Sequence, residues 1–153
     1  VDIDEVIDEA TDQCSLLAES RMIELVRGPR SHASVIGDRN YLISAVHNLI
    51  ENAINYSPER TKVTVNSEIN SGLVEISVID QGIGISESDI SRIFERFYRV
   101  DPARSRLTGG TGLGLSIVKN VAMKHGGDVA VWSSPGTGST FCLKLPIEER
   151  ADS

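Results

Sequence analysis

Glycine is concentrated at three points of the chain, and the middle group has the pattern of a phosphate-binding loop. Glycine lets backbone N–H groups approach a ligand closely, and the middle group leads directly into a predicted helix, whose N-terminus is a ready site for phosphate. Four glycines in six residues exceed what a tight turn needs, so we favour phosphate binding there, whereas the last group is more simply a hairpin turn. The three groups are Gly82 and Gly84; Gly109, Gly110, Gly112 and Gly114; and Gly136 and Gly138.

Two common phosphate-binding motifs are absent. The sequence contains no GxxxxGKS or GxxxxGKT segment, which excludes a P-loop. It contains no GxGxxG either, because the middle group continues into Leu115, Ser116 and Ile117 without a third glycine at the required position.

A second group of polar residues lies on one face of a predicted helix. Asn48, Asn52 and Tyr56 recur at every fourth position opposite the apolar stripe, with Glu51 and Asn55 beside them. An asparagine carbonyl is a hard oxygen ligand that holds Mg²⁺ together with phosphate oxygens, without adding negative charge near a triphosphate. A solvated polar face is the alternative, but asparagine is a mediocre helix former, so we favour a metal or phosphate role.

One aspartate ends a predicted strand just before the first glycine group. The carboxylate of Asp80 could accept a hydrogen bond from an exocyclic amine such as the N6 group of adenine. Taken alone, this residue is better explained as an ordinary Asx turn.

These residues are positioned by alternating helices and strands. Apolar spacing predicts helices over 1–20, 39–56, 87–97 and 112–125, with Asp38 as the N-cap of the second. Alternating or short apolar runs predict strands over 23–26, 35–36, 63–65, 74–78, 129–133 and 139–145. The predicted fold class is α/β, a two-layer sandwich of helices on a mixed, largely antiparallel sheet.

Composition narrows the function classes. The 153 residues carry a net charge of −7, which argues against nucleic acid and anionic membranes as partners. No apolar run is long enough to span a bilayer and no signal-peptide pattern opens the chain. The only cysteines, Cys14 and Cys142, stand in apolar contexts without a metal-binding spacing, which fits a reducing, cytoplasmic location.

Five segments in a fixed order carry a family resemblance. HNLIENAINYS, DQGIGI, IFERFYR, GGTGLGLSIVK and GTGSTF follow one another across nearly the whole chain. In this order they resemble the ATP-binding domain of two-component sensor histidine kinases, which belongs to the Bergerat-fold group with gyrase, Hsp90 and MutL. The resemblance implies a Bergerat-type fold, a catalytic domain over 1–150 and a tail over 151–153, with the dimerisation hairpin and sensor outside this chain.

The resemblance also implies ATP and Mg²⁺ as cofactors and a role for each matched residue. Asn52 would bind Mg²⁺, with Asn48 as a nearby phosphate or metal contact, and Asp80 would accept from adenine N6, supported through water by Thr140. Arg99 and Arg104 would face the phosphates from a mobile lid over 99–111. The other implied nucleotide contacts are Asn55, Tyr56, Gly82, Gly84, Ile85, Gly110, Thr111, Gly112, Leu113, Gly114 and Leu115.

Two positions bear on the reaction. Asn55 stands where many of these kinases have a lysine or arginine, so one phosphate contact would be missing or supplied by a lid arginine. Asn48 stands where the hydrolytic members of the wider group have the glutamate that activates water, and Glu51 points about 100° away from Asn52 around the helix. This pattern favours phosphoryl transfer over hydrolysis.

The acceptor histidine of the family is not found in the sequence. None of His32, His47 and His125 is followed by residues like HELRTP; His47 fits a helix face, and His125 closes a helix, where a cation suits the dipole. The resemblance therefore implies transfer of the γ-phosphoryl group to a histidine on the parent's own hairpin and relay to a response regulator. The parent would be a membrane-anchored bacterial sensor, and the isolated domain a monomer. A nucleotide-binding regulatory module, or a Bergerat-type ATPase or serine kinase, stays open as the alternative.

Overall fold

Three helices and five strands make up the part of the chain that the computed structural model describes, residues 1–55, 57–81, 114–134 and 138–147. In chain order they are α1 (Ile3–Ser20), β1 (Glu24–Arg27), α2 (Arg39–Asn55), β2 (Lys62–Asn70), β3 (Leu73–Ile79), α3 (Gly114–Lys124), β4 (Asp128–Ser134) and β5 (Gly138–Pro146). Among these residues, no helix combines the length and apolar character needed to cross a membrane. The predicted helix over 87–97 and the predicted lid lie outside the described residues.

The first two helices begin at the side-chain caps that their sequences provide. Oδ1 of Asp2 accepts from the backbone N–H of Asp4 at 2.9 Å, and Oδ1 of Asp38 accepts from those of Asn40 and Tyr41 at 2.9 and 3.1 Å. Each cap satisfies N–H groups that have no partner within the helix. The cap predicted at Asp38 is thereby confirmed.

The helices bury their apolar stripes against the sheet and against one another. The predicted stripe of α2 is buried throughout, and α2 packs against both α1 and α3. Burial of such a stripe is the main source of helix stability in a folded domain. The stripe comprises Leu42, Val46, Leu49, Ile50 and Ala53.

The five strands form one mixed sheet in the order β1-β2-β3-β5-β4. β1 pairs with β2 in parallel, and the other neighbours are antiparallel. Ser71 and Gly72 join β2 to β3 with φ of 53° and 80°, the positive values that a two-residue hairpin turn matching the strand twist requires. Rows of paired residues face the helices, for example Val65, Val78, Phe141 and Val131. The predicted two-layer sandwich is confirmed.

One predicted strand is wrong. Residues 35–36 do not form a strand; the neighbouring Ser34 makes a single isolated bridge to Asp2. Val35 exchanges backbone hydrogen bonds with Val1, at 2.9 and 2.8 Å. On the other side of this bridge, toward residue 33, the pairing ends where the partner segment enters α1 at Ile3.

Candidate functional site

The two helices that carry predicted ligand-binding residues run antiparallel. The backbone N–H of Asp38 at the start of α2 donates over 3.0 Å to Nε2 of His125, which directly follows α3. At about 1.5 Å of rise per residue, Asn52 lies about 21 Å from Asp38 along α2, and Gly114 about 17 Å from His125 along α3. The predicted metal ligand and the end of the glycine-rich segment therefore lie at the same end of the helix pair.

Asp80 lies at the end of the sheet that adjoins Asn52 and the C-terminal end of α2. Oε1 of Gln81 accepts from the backbone N–H of Lys62 at 3.0 Å, and Lys62 begins β2 after the short connection from α2. Asp80 is therefore at the sheet end that adjoins the C-terminal end of α2, where Asn52 and Asn55 lie.

The main chain of β5 fixes the Asp80 carboxyl group. Asp80 is 7% exposed; its Oδ1 accepts from the backbone N–H of Ser139 at 3.1 Å, and its own N–H donates to the Ser139 carbonyl at 2.9 Å. Gly138 has φ of 126°, and a Cβ atom there would lie 2.3 Å from the carbonyl oxygen of Asp80. Glycine is required at this position because β5 begins in direct contact with the Asp80 backbone.

The structure places Ser139, rather than Thr140, on the same side of β5 as the buried core. Ser139 and Phe141 are buried, whereas Thr140 is half-buried and pairs with Ile79 and Trp132 across the sheet. Successive side chains of a strand point to opposite faces. The geometry therefore does not bring the Thr140 side chain together with Asp80, and it offers Ser139 in its place.

The asparagine stripe lies on the border between the core and solvent. Asn48 and Asn52 are half-buried, and Asn55 is 7% exposed. Leu49 and Ile50 are fully buried, so the amides of Asn48 and Asn52 emerge on the side of α2 away from the core, whereas Asn55 is buried. Tyr56, the last predicted member of the stripe, lies outside the described residues.

Glu51 is held along its own helix. Its Oε2 lies 2.9 Å from Nε2 of His47, and because a carboxylate only accepts, this nitrogen is the donor. Nδ1 of His47 faces the Sγ of Cys14 at 3.6 Å. Burial, with the charge of Glu51 adding to it, raises the pKa of the Cys14 thiol to about 12, so the thiol stays protonated. The Glu51 carboxylate thus contacts His47 one turn away.

An open cleft of about 310 Å³ separates the exposed sides of α1 and α2. Asn48 lines it together with Glu9 and Gln13 of α1 and Arg39 and Ser44 of α2. One carboxylate and one guanidinium leave no excess of either charge there, so the cleft has no preference for an anion such as phosphate.

The N-terminus of α3 is anchored by its second residue. Leu115 is half-buried and packs against the core, which fixes where the glycine-rich segment enters the helix at Gly114. The remaining predicted contacts lie outside the described residues. They are Gly82, Gly84, Ile85, Arg99, Arg104, Gly110, Thr111, Gly112 and Leu113.

Sequence reasoning missed three residues at this site and its support. The roles of Ser139 and Gly138 depend on the register of β5 against Asp80, which the sequence does not show. The GTGSTF segment that contains them was nevertheless recognised as part of the site. His125 was interpreted as a cation at a helix end. That interpretation is wrong, because Nε2 accepts from Asp38 and therefore carries no proton.

Comparison with known proteins identifies the family of the chain. Residues 37–149 match the family model described as histidine kinase-, DNA gyrase B-, and HSP90-like ATPase. The chain is 48% identical over 146 residues to the sensor-like histidine kinase SenX3 of Mycolicibacterium smegmatis, covering 95% of this chain and 38% of that protein. It is 40% identical over 139 residues to the sensor histidine kinase WalK of Bacillus subtilis, covering 89% and 23%. The chain thus spans less than two fifths of these relatives.

Solved structures share the fold over 98% to 99% of the chain. The mycobacterial sensor histidine kinase MprB superposes with a TM-score of 0.82 at 35% identity, covering 98% of this chain and 97% of that one. Full-length ShkA, solved in complex with AMPPNP, superposes with a TM-score of 0.83 at 29% identity, covering 99% and 31%. The chain therefore belongs to the histidine kinase-, gyrase- and HSP90-like ATPase family, as an ATP-binding catalytic domain of the sensor histidine kinase type.

Proposed function

We propose that the chain binds Mg²⁺-ATP and transfers its γ-phosphoryl group to a histidine on the dimerisation hairpin of its parent protein, for relay to a response regulator. The observation that carries the proposal is the antiparallel pairing of α2 and α3. It brings the asparagine stripe and the glycine-rich helix start to one end of the fold, beside Asp80. Residues 1–150 would be the catalytic unit and 151–153 a tail, with hairpin and sensor elsewhere in the parent.

Asp80 would select the base. One carboxylate oxygen accepts from the Ser139 main chain, which sets the orientation of the group. A carboxylate accepts a hydrogen bond from the N6 amine of adenine but repels the O6 carbonyl of guanine. We assign the supporting side chain to Ser139, because it shares a face with the core while Thr140 does not.

The donors on α2 fit a hard cation. Among the described residues, no group of three or more His, Cys, Asp and Glu side chains could hold a metal. The asparagines of α2 offer amide oxygens as ligands. Amide and phosphate oxygens together suit Mg²⁺. Asn52 would hold the ion, with Asn48 one turn away contacting it or a phosphate; the ion supplies charge neutralisation for the triphosphate.

The remaining groups would position the triphosphate. The start of α3 offers backbone N–H groups from Gly114 onward, and the glycine-rich segment before it would wrap the phosphates. Arg99 and Arg104 of the lid would offset charge on the transferring group. Asn55, in place of a basic residue, leaves that task to the lid arginines.

The chain's own histidines support an acceptor from elsewhere. Both ring nitrogens of His47 and of His125 contact neighbouring groups, so neither ring is available as a nucleophile. His32 is 84% exposed, but its backbone N–H and ring lie beside the carboxylate of Asp4. Hydrolysis is disfavoured because Asn48 cannot act as a base and the Glu51 carboxylate contacts His47. The parent would be a membrane-anchored sensor with this domain in the cytoplasm, as a monomer when isolated.

The test is a phosphotransfer assay with a separately purified hairpin of the parent and γ-labelled ATP. We expect an acid-labile, base-stable label on the hairpin that Asn52→Asp and Asp80→Asn abolish. Asn40→Asp on the exposed start of α2 and Asp12→Asn on α1 are matched controls that retain it. Nucleotide binding without label would favour a regulatory module, and release of phosphate without label would favour an ATPase.

A further inference from the structure

A single histidine joins the start of α2 to the end of α3. The backbone N–H of Asp38 donates to Nε2 of His125 at 3.0 Å, and Nδ1 of His125 lies 2.8 Å from the carbonyl oxygen of Val121. A backbone N–H only donates and a carbonyl only accepts. His125 is therefore the neutral tautomer with its proton on Nδ1, and this contact spans 87 residues of sequence.

The ring of His125 packs directly against Gly37. A Cβ atom on Gly37 would lie 2.2 Å from Cδ2 and 2.5 Å from Nε2 of His125. The imidazole thus occupies the volume that a side chain at position 37 would fill, and only glycine lets the ring reach the next N–H group. Asp38 in turn caps α2 through its own carboxylate, so His125 contacts the residue that starts the helix.

We propose that His125 is a positioning residue that aligns α2 with α3, and that it does so only in its neutral form. The imidazolium carries N–H on both nitrogens and cannot accept from Asp38. Because α2 and α3 carry the asparagine stripe and the glycine-rich helix start at their other ends, loss of this contact on acidification misaligns the two halves of the phosphate site. This consequence for nucleotide binding rests on the proposed function.

The groups around the ring come from three parts of the chain: charged groups at the start of α2 and on α3, and neutral groups from β5. On α2 they are the Asp38 carboxylate, already engaged in capping, and the neighbouring Arg39. On α3, Lys124 directs its ammonium over the ring of Tyr41, 5.9 Å from the centroid. β5 approaches the following Gly126–Gly127 turn with a backbone carbonyl and the Pro146 ring, which are neutral. The Asp38 carboxylate is thus the one anionic group among these, and a protonated ring would swing toward it.

The first test reads the contact itself and does not depend on nucleotide. Nitrogen-15 NMR of the imidazole at pH 8 should give a protonated Nδ1 and an unprotonated Nε2, and the Asp38 amide should exchange slowly with solvent. As the pH falls from 8 to 5, where imidazoles ordinarily titrate, the ratio of exchange at the Asp38 amide to exchange at the Asp4 amide, which the Asp2 carboxylate caps on α1, should rise. A proton on Nε2 at pH 8, or a ratio of Asp38 to Asp4 exchange rates that does not change with pH, overturns the proposal.

The second test uses ATP affinity as a measure of how well α2 and α3 are aligned. His125→Gln keeps an uncharged acceptor, so its affinity should match the wild type at pH 8 and exceed it at pH 5.5. His125→Phe and Gly37→Ala remove or displace the acceptor and should weaken binding about threefold to tenfold at pH 8. Ratios to the wild type at each pH cancel the titration of the nucleotide. Equal pH dependence in the wild type and His125→Gln contradicts the proposal, whereas absence of binding in every protein contradicts the proposed function instead.

Discussion

The chain buries two aspartates to the same extent, 7% exposed, and surrounds them differently. Asp4 is enclosed by side chains and main chain from distant segments: Oδ1 accepts from the Ser67 hydroxyl at 3.0 Å, Oδ2 accepts from the His32 N–H at 2.8 Å, and Nη2 of Arg27 lies 3.8 Å away. Asp80 accepts from the main chain of the neighbouring strand at the end of β3.

The difference separates a structural carboxylate from one suited to a ligand. Asp4 ties α1, the segment after β1 and β2 together, with a guanidinium to balance its charge. Asp80 is oriented by backbone at the edge of the sheet, beside the helix ends that carry the amides and the glycine-rich segment. Four predictions test this contrast and its limits, from the largest expected effect to the smallest.

Asp80→Asn should have the largest effect on binding. The amide retains an oxygen for the Ser139 N–H but no longer presents a full carboxylate to an exocyclic amine. We expect ATP affinity to fall more than about 100-fold, as expected when a buried polar contact to a ligand is lost, with an unfolding free energy within about 1 kcal/mol of the wild type. Calorimetric titration and urea unfolding measure the two quantities; unchanged affinity would remove Asp80 from the site.

Asp4→Asn should show the opposite profile. Loss of a buried charge beside Arg27, and of one acceptor, should lower the unfolding free energy by about 2 to 3 kcal/mol. ATP affinity of the folded fraction should stay within about twofold of the wild type, since Asp4 does not contact the proposed site. A fall in ATP affinity as large as that of Asp80→Asn would contradict the assignment of a purely structural role to Asp4.

Gly138→Ala tests whether the backbone of β5 positions Asp80. The added Cβ meets the Asp80 carbonyl oxygen at 2.3 Å, at a φ of 126° that alanine rarely adopts. We expect a loss of about 2 kcal/mol in stability together with about a tenfold loss in ATP affinity, because the carboxylate moves with its backbone. Gly72→Ala also has a positive φ, of 80°, but open space around it, and should lower stability without changing affinity.

Asp8 should give the smallest effect, seen as a pH dependence of stability. The hydrogen bond from Arg30 first, and that from Arg27 to a smaller extent, hold the pKa of the Asp8 carboxyl below its ordinary value of 3.8. The stabilisation is therefore fully present above the pKa of the unfolded chain and is lost as pH falls through the lowered folded value. The unfolding free energy, measured with urea, should fall less steeply from pH 6 to pH 3 for Asp8→Asn and for Arg30→Gln than for the wild type. Identical slopes would show that these ion pairs contribute nothing to the pH dependence of stability.

The sequence predicts most of this fold because its signals are local. Asp38 and the apolar stripe of α2 define that helix without reference to the rest of the chain, and Asn70, Ser71 and Gly72 define the turn between β2 and β3. The prediction of a strand at 35–36 is wrong because a strand there depends on a partner from another segment, the residues before α1.

The site is less predictable, since its details depend on register. The sequence marks Asp80 and the GTGSTF segment, but the choice between Ser139 and Thr140 follows from how β5 pairs with β3. The role of His125 depends on Asp38, which is distant in sequence, and no local pattern distinguishes an acceptor imidazole from a cation at a helix end.

The most direct test of the central claim is to map the Mg²⁺-AMPPNP complex by amide chemical shifts. We predict shifts at Asn48–Asn55, Asp80–Gln81, Ser139 and Gly114–Leu115, and none at Asp4, His32 or Ser67. Shifts at the Asp4 cluster, or an undisturbed Asp80 at saturating nucleotide, would contradict the account.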